Sequence, residues 1–380
     1  MNSITPKLIM RTLLSILGIV MVLFVTSCGR SEPEQYDYDV VREVHDPVVT
    51  VQISDEASLI EAIVGSAENT VIEITQNIPL RSMLVIPVSS TITLSSTAGN
   101  TFSLIAEGNF DAITVENGAT LTIDGISILR SPNTEGRGIQ NWGELLMYSG
   151  LIADHINPNT GALGWGGGVL NNTGAIFHMR GGTISNNEAI NTGGGVHNHG
   201  RFVMTYGNIT NNIARLGGGV VNRDEFEMEG GNIIGNAAQF SGGVGNEEDG
   251  IFTMSGGSIS QNTVENNSGG VGNTGTFNMR GGEISSNIAS LGAGGVGNQH
   301  GTFTLYNGTI RDNSASSGGG GVYNLGGTVI MESGLISYNE TEGNGAGVYN
   351  TNRITDDEIF EASFQLIGGS INLRTRVQKI

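Results

Sequence analysis

A unit of about 25 residues recurs from residue 137 almost to the end of the 380-residue chain, and few folds accommodate that period. Residues 268–292, SGGVGNTGTFNMRGGEISSNIASLG, show it best. One column holds Val169, Val196, Val220, Val244, Val271, Val296, Val322 and Val348, with Ile139 ahead of them. Two residues on, every unit has asparagine, from Asn141 through Asn171 and Asn198 to Asn350. Phe-x-Met follows (Phe177/Met179 to Phe277/Met279, then Phe303/Leu305), and an isoleucine stands five residues later, from Ile184 to Ile336. A second asparagine follows three residues after that, from Asn187 to Asn339. Only the links between units vary in length.

Helical repeats do not suit this pattern, because several glycines per unit would each cost about 1 kcal/mol inside a helix. Phe-x-Met has the period of a half-buried strand, with His178, Val203, Glu227, Thr253, Asn278 and Thr304 between the apolar residues. Three short strands per turn, joined by Gly and Asn corners, predict an all-β chain: a right-handed parallel β-helix whose coils rise about 4.8 Å each. Val, Phe, Met and Ile then point inward, each contributing roughly 1.5–3 kcal/mol when fully buried. The paired glycines serve tight corners, and the asparagines are expected to tolerate left-handed corners and to form ladders along the axis.

The composition shifts mark four segments. Residues 1–27 read as a lipoprotein signal peptide: Lys7 and Arg11 precede an apolar run, Thr12 to Val25, too short to span a bilayer comfortably. Val25-Thr26-Ser27-Cys28-Gly29 resembles the lipobox of bacterial lipoproteins. That resemblance implies cleavage before Cys28, lipid attachment to it, and export to a bacterial membrane, with the cell surface as the expected location. As the only cysteine, Cys28 leaves no intrachain disulfide framework. Residues 28–48 are acidic and rich in turn formers, which predicts a flexible tether. Residues 49–136 predict a cap and irregular first coils: a strand at Val49–Ile53, then a helix opened by Ser54-Asp55-Glu56 and ending near Gly65. Its Leu59, Ile60 and Ile63 share a face suited to covering the open end of a solenoid. Residues 137–380 form the regular array, interrupted at 351–363 and resumed by Phe364, Leu366 and Ile371; its C-terminal end is either blunted by Arg374, Arg376 and Lys379 or meets a partner by self-association.

The G-G-x-V-x-N and I-x-x-N-x-A pattern over about 137–372 resembles the right-handed parallel β-helix repeats of the pectate-lyase-like superfamily. It is especially similar to adhesin-like surface proteins of bacteria and archaea. The resemblance implies the fold and leaves the function open.

An enzyme on this fold would be a polysaccharide lyase or a glycoside hydrolase. A lyase needs a base beside a uronate and a cation on its carboxylate. Lysine is absent between Lys7 and Lys379, which leaves Arg180, Arg201, Arg215, Arg223, Arg280 and Arg311 in the array. An inverting hydrolase needs carboxylates about 6.5–9.5 Å apart on adjacent coils, and the outward positions carry no such column. The clusters Asp224/Glu225/Glu227/Glu229, Glu247/Glu248/Asp249 and Asp356/Asp357/Glu358 read as solvated surface, with Ca2+ as the alternative. No catalytic residue, metal site or cofactor is therefore assigned.

Three residues are candidate ligand contacts. His197 takes the slot between Val196 and Asn198, expected to face outward, and Tyr323 and Tyr349 take that slot in consecutive coils. Stacked tyrosines can pack on a sugar ring while their hydroxyls stay wet. Gly245, Gly272 and Gly297 between them predict a shallow trough. Without the signal peptide, 15 basic residues face 36 acidic ones, a net charge of −21. That excludes nucleic acid as a partner and disfavours a uronan. The expectation is a surface lipoprotein that binds a glycan or another surface ligand without catalysis. A polysaccharide-cleaving enzyme and a structural stalk or assembly component are the alternatives.

Overall fold

In the computed structural model, which describes residues 49–66, 69–355 and 358–372, the chain is an all-β parallel solenoid of the right-handed type with about 11 turns. Residues 1–48, in which the sequence predicts a signal peptide, a lipid site at Cys28 and a tether, and residues 373–380 lie outside the described residues.

Each regular coil visits four faces. Val-x-Asn strands, such as Val220–Asn222, stack into an 11-stranded parallel sheet. Phe-x-Met strands, such as Glu225–Met228, and Gly-x-Ile strands, such as Asn232–Ile234, form two further ladders. The two ladders merge where Ile176–Ser185 and Arg201–Thr210 run through the corner unbroken. The link, expected to be an irregular connection, is a fourth strand: eight of them pair in parallel from Ile156–Asn157 to Glu340–Thr341. Register is kept column by column, so Val244 pairs with Val271, Phe252 with Phe277 and Ile259 with Ile284.

The core follows from that register. Phe177, Phe202, Phe226, Phe252, Phe277 and Phe303 are fully buried and stack with centroids 4.7–4.9 Å apart and planes within 11° of parallel. Beside them run two buried chains of side-chain amides. In the first, Asn141, Asn171, Asn198, Asn222, Asn246, Asn273, Asn298 and Asn324 each donate Nδ2–H to Oδ1 of the next coil's asparagine at 2.6–2.8 Å. In the second, Asn187 to Asn339, each Oδ1 from Asn212 onward receives both the backbone N–H and the Nδ2–H of the preceding coil's asparagine, as Asn236 does from Asn212 at 2.9 and 3.0 Å. Buried amides are tolerated because every polar atom is used.

The asparagines of the second chain do not occupy the left-handed corners expected of them. The residue before each does: Asn186, Asn211, Gly235, Gln261, Ser286, Asp312 and Tyr338 all have φ between 54° and 69°. The turn aims the next side chain inward, and the asparagine is chosen for its amide. Close approach explains one glycine column. A Cβ on Gly219 would come 2.6 Å from Gly243 O and 2.7 Å from a methyl of Ile233.

The ends are built differently. The strand at Val49–Ile53 pairs with Thr70–Ile74, and the helix Glu56–Val64 starts at Asp55, whose carboxylate accepts from Ser58 N at 2.9 Å. Leu59 and Ile63 are buried in the core, so the helix does close that end. Ile60 does not join them; it is 38% exposed, since it sits past the edge of the buried stripe. Among the irregular first coils, the strands Thr120–Asp124 and Ser127–Arg130 are parted at Gly125 with φ 76°. At the far end, the insertion after Asn350 folds back as the antiparallel pair Arg353–Ile354 and Ile359–Phe360 before Ser363–Leu366 resumes the ladder.

The second amide chain begins on a histidine. His155 N–H donates to Asn187 Oδ1 at 3.1 Å, its Nε2 contacts Ile128 O at 3.1 Å, and Arg130 Nε–H donates to Nδ1 at 3.3 Å. Burial, and then the Arg130 charge, push its pKa down to about 3.

Two expected outcomes follow from these ladders. Asn236→Ala strands Asn212 N–H and Nδ2–H without their shared acceptor and frees Ile209 O, so urea unfolding should show a loss of about 2–5 kcal/mol. For His155, the folded pKa lies below the unfolded one. Its contribution is therefore fully present above about pH 6.5 and lost as pH falls toward 3, because only the unfolded chain takes up the proton. In His155→Asn, which continues the amide chain, the melting temperature should fall less steeply over that window; an unchanged slope rules out this role.

Candidate functional site

The structure separates the residues singled out from the sequence. His197 does not face solvent: it is completely buried. The cause is the loop after Asn157, which runs through a single 3-10 turn at Gly161–Gly164 and lays Trp165 over the Val-x-Asn face. Trp165 stacks on His197 with centroids 5.0 Å apart and planes 2° from parallel. It also lies 4.6 Å from His199, while the Arg223 guanidinium sits 5.4 Å above its ring. Thr192 Oγ1 lies 2.7 Å from His197 Nδ1, but Nε2 of both histidines and Arg223 Nε have no hydrogen-bond partner and are sealed from solvent. Burial, and then the charges of His199, Arg223 and Arg137, hold the His197 pKa well below the usual imidazole range. Among the described residues, no three His, Cys, Asp or Glu side chains are gathered as a metal shell.

The expected trough along the same slot is filled. Ser241 and Ser268 fold over it, so a Cβ on Gly272 would come 2.1 Å from Ser241 Oγ and one on Gly297 2.0 Å from Ser268 Oγ. The glycines make room for those serines. Tyr323 and Tyr349 do lie one above the other, centroids 5.2 Å apart and planes 7° from parallel, each half-buried. Burial, and then its neighbour Tyr349, raise the Tyr323 pKa.

Four carboxylates of the acidic clusters are engaged. Arg201 bridges Glu225 at 3.1 Å and Glu227 at 3.0 Å on the next coil, and Thr205 donates to Glu229 at 3.0 Å. Arg223 reaches Glu247 at 3.5 Å, and Arg311 pairs with Glu283 and Asp312. Asp356 and Asp357 lie outside the described residues.

The remaining array arginines lie on aromatic rings. Arg180 Nη1 donates to the Tyr148 hydroxyl at 3.3 Å, with its guanidinium 5.5 Å from that ring, and pairs in register with Tyr206 of the next coil. Tyr148 and Tyr206 are 38% and 61% exposed. The same corner, one residue past the inward Met or Leu, carries Arg280 with its guanidinium 4.5 Å from the Tyr306 ring. Four coils part the two arginines, about 19 Å. Two tyrosine–arginine pairs thus share one ridge. The sequence signal was present, since Arg180 and Arg280 share a repeat position, but Tyr148 and Tyr206 belong with them only through cross-coil register. Trp165 carried no signal, because it stands in a link of irregular length.

The chain matches no protein-family model, no curated protein and no solved structure.

The lid role of Trp165 has a direct test. In Trp165→Ala, water reaches His197, and its pKa should rise toward the ordinary imidazole value near 6.5, read from the ring-proton chemical shift in an NMR titration. A His197 that still resists protonation would show that the ring stack is not what shields it.

Proposed function

We propose that this chain is an exported, lipid-anchored surface protein whose β-solenoid, akin to the pectate-lyase-like and adhesin-like β-helices, binds a glycan without cleaving it. The observation that carries the reading is the ridge on which Tyr148, Arg180 and Tyr206 occupy three consecutive coils, repeated by Arg280 and Tyr306. Tyrosine faces take the apolar faces of sugar rings, and guanidinium N–H groups take hydroxyl or carboxylate oxygens. Two such pairs about 19 Å apart suit a polymer rather than a single sugar. The stacked Tyr323 and Tyr349 offer a second aromatic contact of the same kind. A hydrolytic reading draws less support, since Glu225 and Glu227 are engaged by Arg201. Anchoring rests on the lipobox ending in Cys28.

The test uses the chain from residue 29, made without lipid, against a panel of neutral and acidic polysaccharides. Binding with no new reducing ends is expected, and Arg180→Ala or Tyr206→Ala should weaken it about tenfold while Ser255→Ala, at the same ridge position, leaves it unchanged. New reducing ends, no binding across the panel, or binding indifferent to both substitutions would each overturn the reading. For the anchor, intact-mass analysis of the membrane fraction should show a lipid on the native chain and none on Cys28→Ser.

A further inference from the structure

The fourth face exposes isoleucines, and we propose that it is a docking surface for a second copy of this chain, packed with its coils running in the opposite direction. In the strands Ile213–Leu216 and Ile288–Ala289 an alanine points inward and an isoleucine outward, while Ala237 and Thr263 take the outward place on the two coils between them. Ala214, Val264 and Ala289 are buried, whereas Ile213, Ile288 and Ile190 are 51%, 54% and 49% exposed and Leu291 is 52% exposed. Together with Arg215 and Glu265, these isoleucines line an open groove of about 630 Å3. Solitary exposed apolar residues need no explanation, but Ile190 and Ile213 on adjacent coils share one groove with Ile288, three coils beyond Ile213 across Ala237 and Thr263.

The charges select the occupant. The ladder register places Arg215, Gln239 and Glu265 one above another on three successive coils, all exposed. Arg215 touches only the Phe240 ring and Asn191 Oδ1, and Glu265 forms no ion pair among the described residues. Two copies of the face can be related by a two-fold axis parallel to the solenoid or by one parallel to the strands. The first sets Arg215 on Arg215 and Glu265 on Glu265. The second sets Arg215 of each copy on Glu265 of the other, brings Gln239 onto its own symmetry mate, and lays Ile190 beside the other copy's Ile288. Only the second pairs opposite charges, so the antiparallel arrangement is the self-complementary one.

Eight strands of two to five residues cover roughly 400 Å2 per partner, about half the ~800 Å2 of a standard stable interface. The contact is therefore weak in solution. It does not rest on the glycan reading and uses none of its residues.

Sedimentation equilibrium on the chain from residue 29 tests it. A reversible monomer–dimer equilibrium is expected. Arg215→Glu and Glu265→Arg should each weaken it at least about tenfold, and the double exchange should restore it to within about threefold. Ile213→Asp should also abolish it, and circular dichroism should match the native chain for all variants, because every substituted side chain is exposed. A chain that stays monomeric up to about 1 mM, or a double exchange that fails to restore a dimer lost in the single variants, would overturn the proposal.

Discussion

The fold depends on one constraint, that each coil lie in register on the one before it, and the buried asparagine chains enforce this most strictly. Each amide within those chains, short of their ends, donates forward and accepts from behind, as Asn222 does between Asn198 and Asn246. A slip of one residue would turn the asparagine outward and a neighbour inward, leaving several buried carbonyls and amides without partners. The phenylalanine stack tolerates small shifts, since apolar contact is not directional. The amides do not, so specificity lies with them and most of the burial with the rings and aliphatic chains.

Once register is set, surface features are made by what each coil adds at its corners. Positions just past the inward Met align into a ridge, and a register shift after Met179 sets Tyr206, two residues past Met204, against Arg180, 26 residues away in the chain. Irregular links act the other way and cover faces. The loop carrying Trp165 and the side chains of Ser241 and Ser268 close the slot beside the valines, so a position that alternation assigns to solvent is buried at His197. On the fourth face nothing in the described chain lies over Ile213 and Ile288, and alternation leaves them exposed.

Much of the architecture was legible in the sequence because its determinants are local and repeated. The Val, Phe, Met and Ile columns, the glycine corners, the helix opened by Asp55 and the end it closes were all readable from spacing and residue type. The fourth strand was not. Ile213-Ala214, Thr263-Val264 and Ser314-Ala315 share no residue pattern strong enough to mark a strand, and their pairing comes from the three faces that hold the ends of each link in place. The asparagine conformation was misjudged for a related reason. Both asparagine roles, left-handed corner and buried amide, suit the same residue, and only the fold shows that the corner falls one position earlier, at residues as unlike as Gln261 and Tyr338.

The sequence by itself determined the parallel solenoid, its coil length and the inward face of three strands, because a 25-residue repeat with period-2 apolar pairs cannot bury its surface except by stacking on copies of itself. Which outward residues meet solvent was decided only by the tertiary structure. That depends on where variable links pass and which coils they cover, a matter of packing between segments with no shared pattern. His197 was buried by such a link, Tyr148 and Tyr206 were gathered around Arg180 by register across coils, and Ile213 and Ile288 of the fourth face were turned outward by the alternation that buries Ala214 and Ala289.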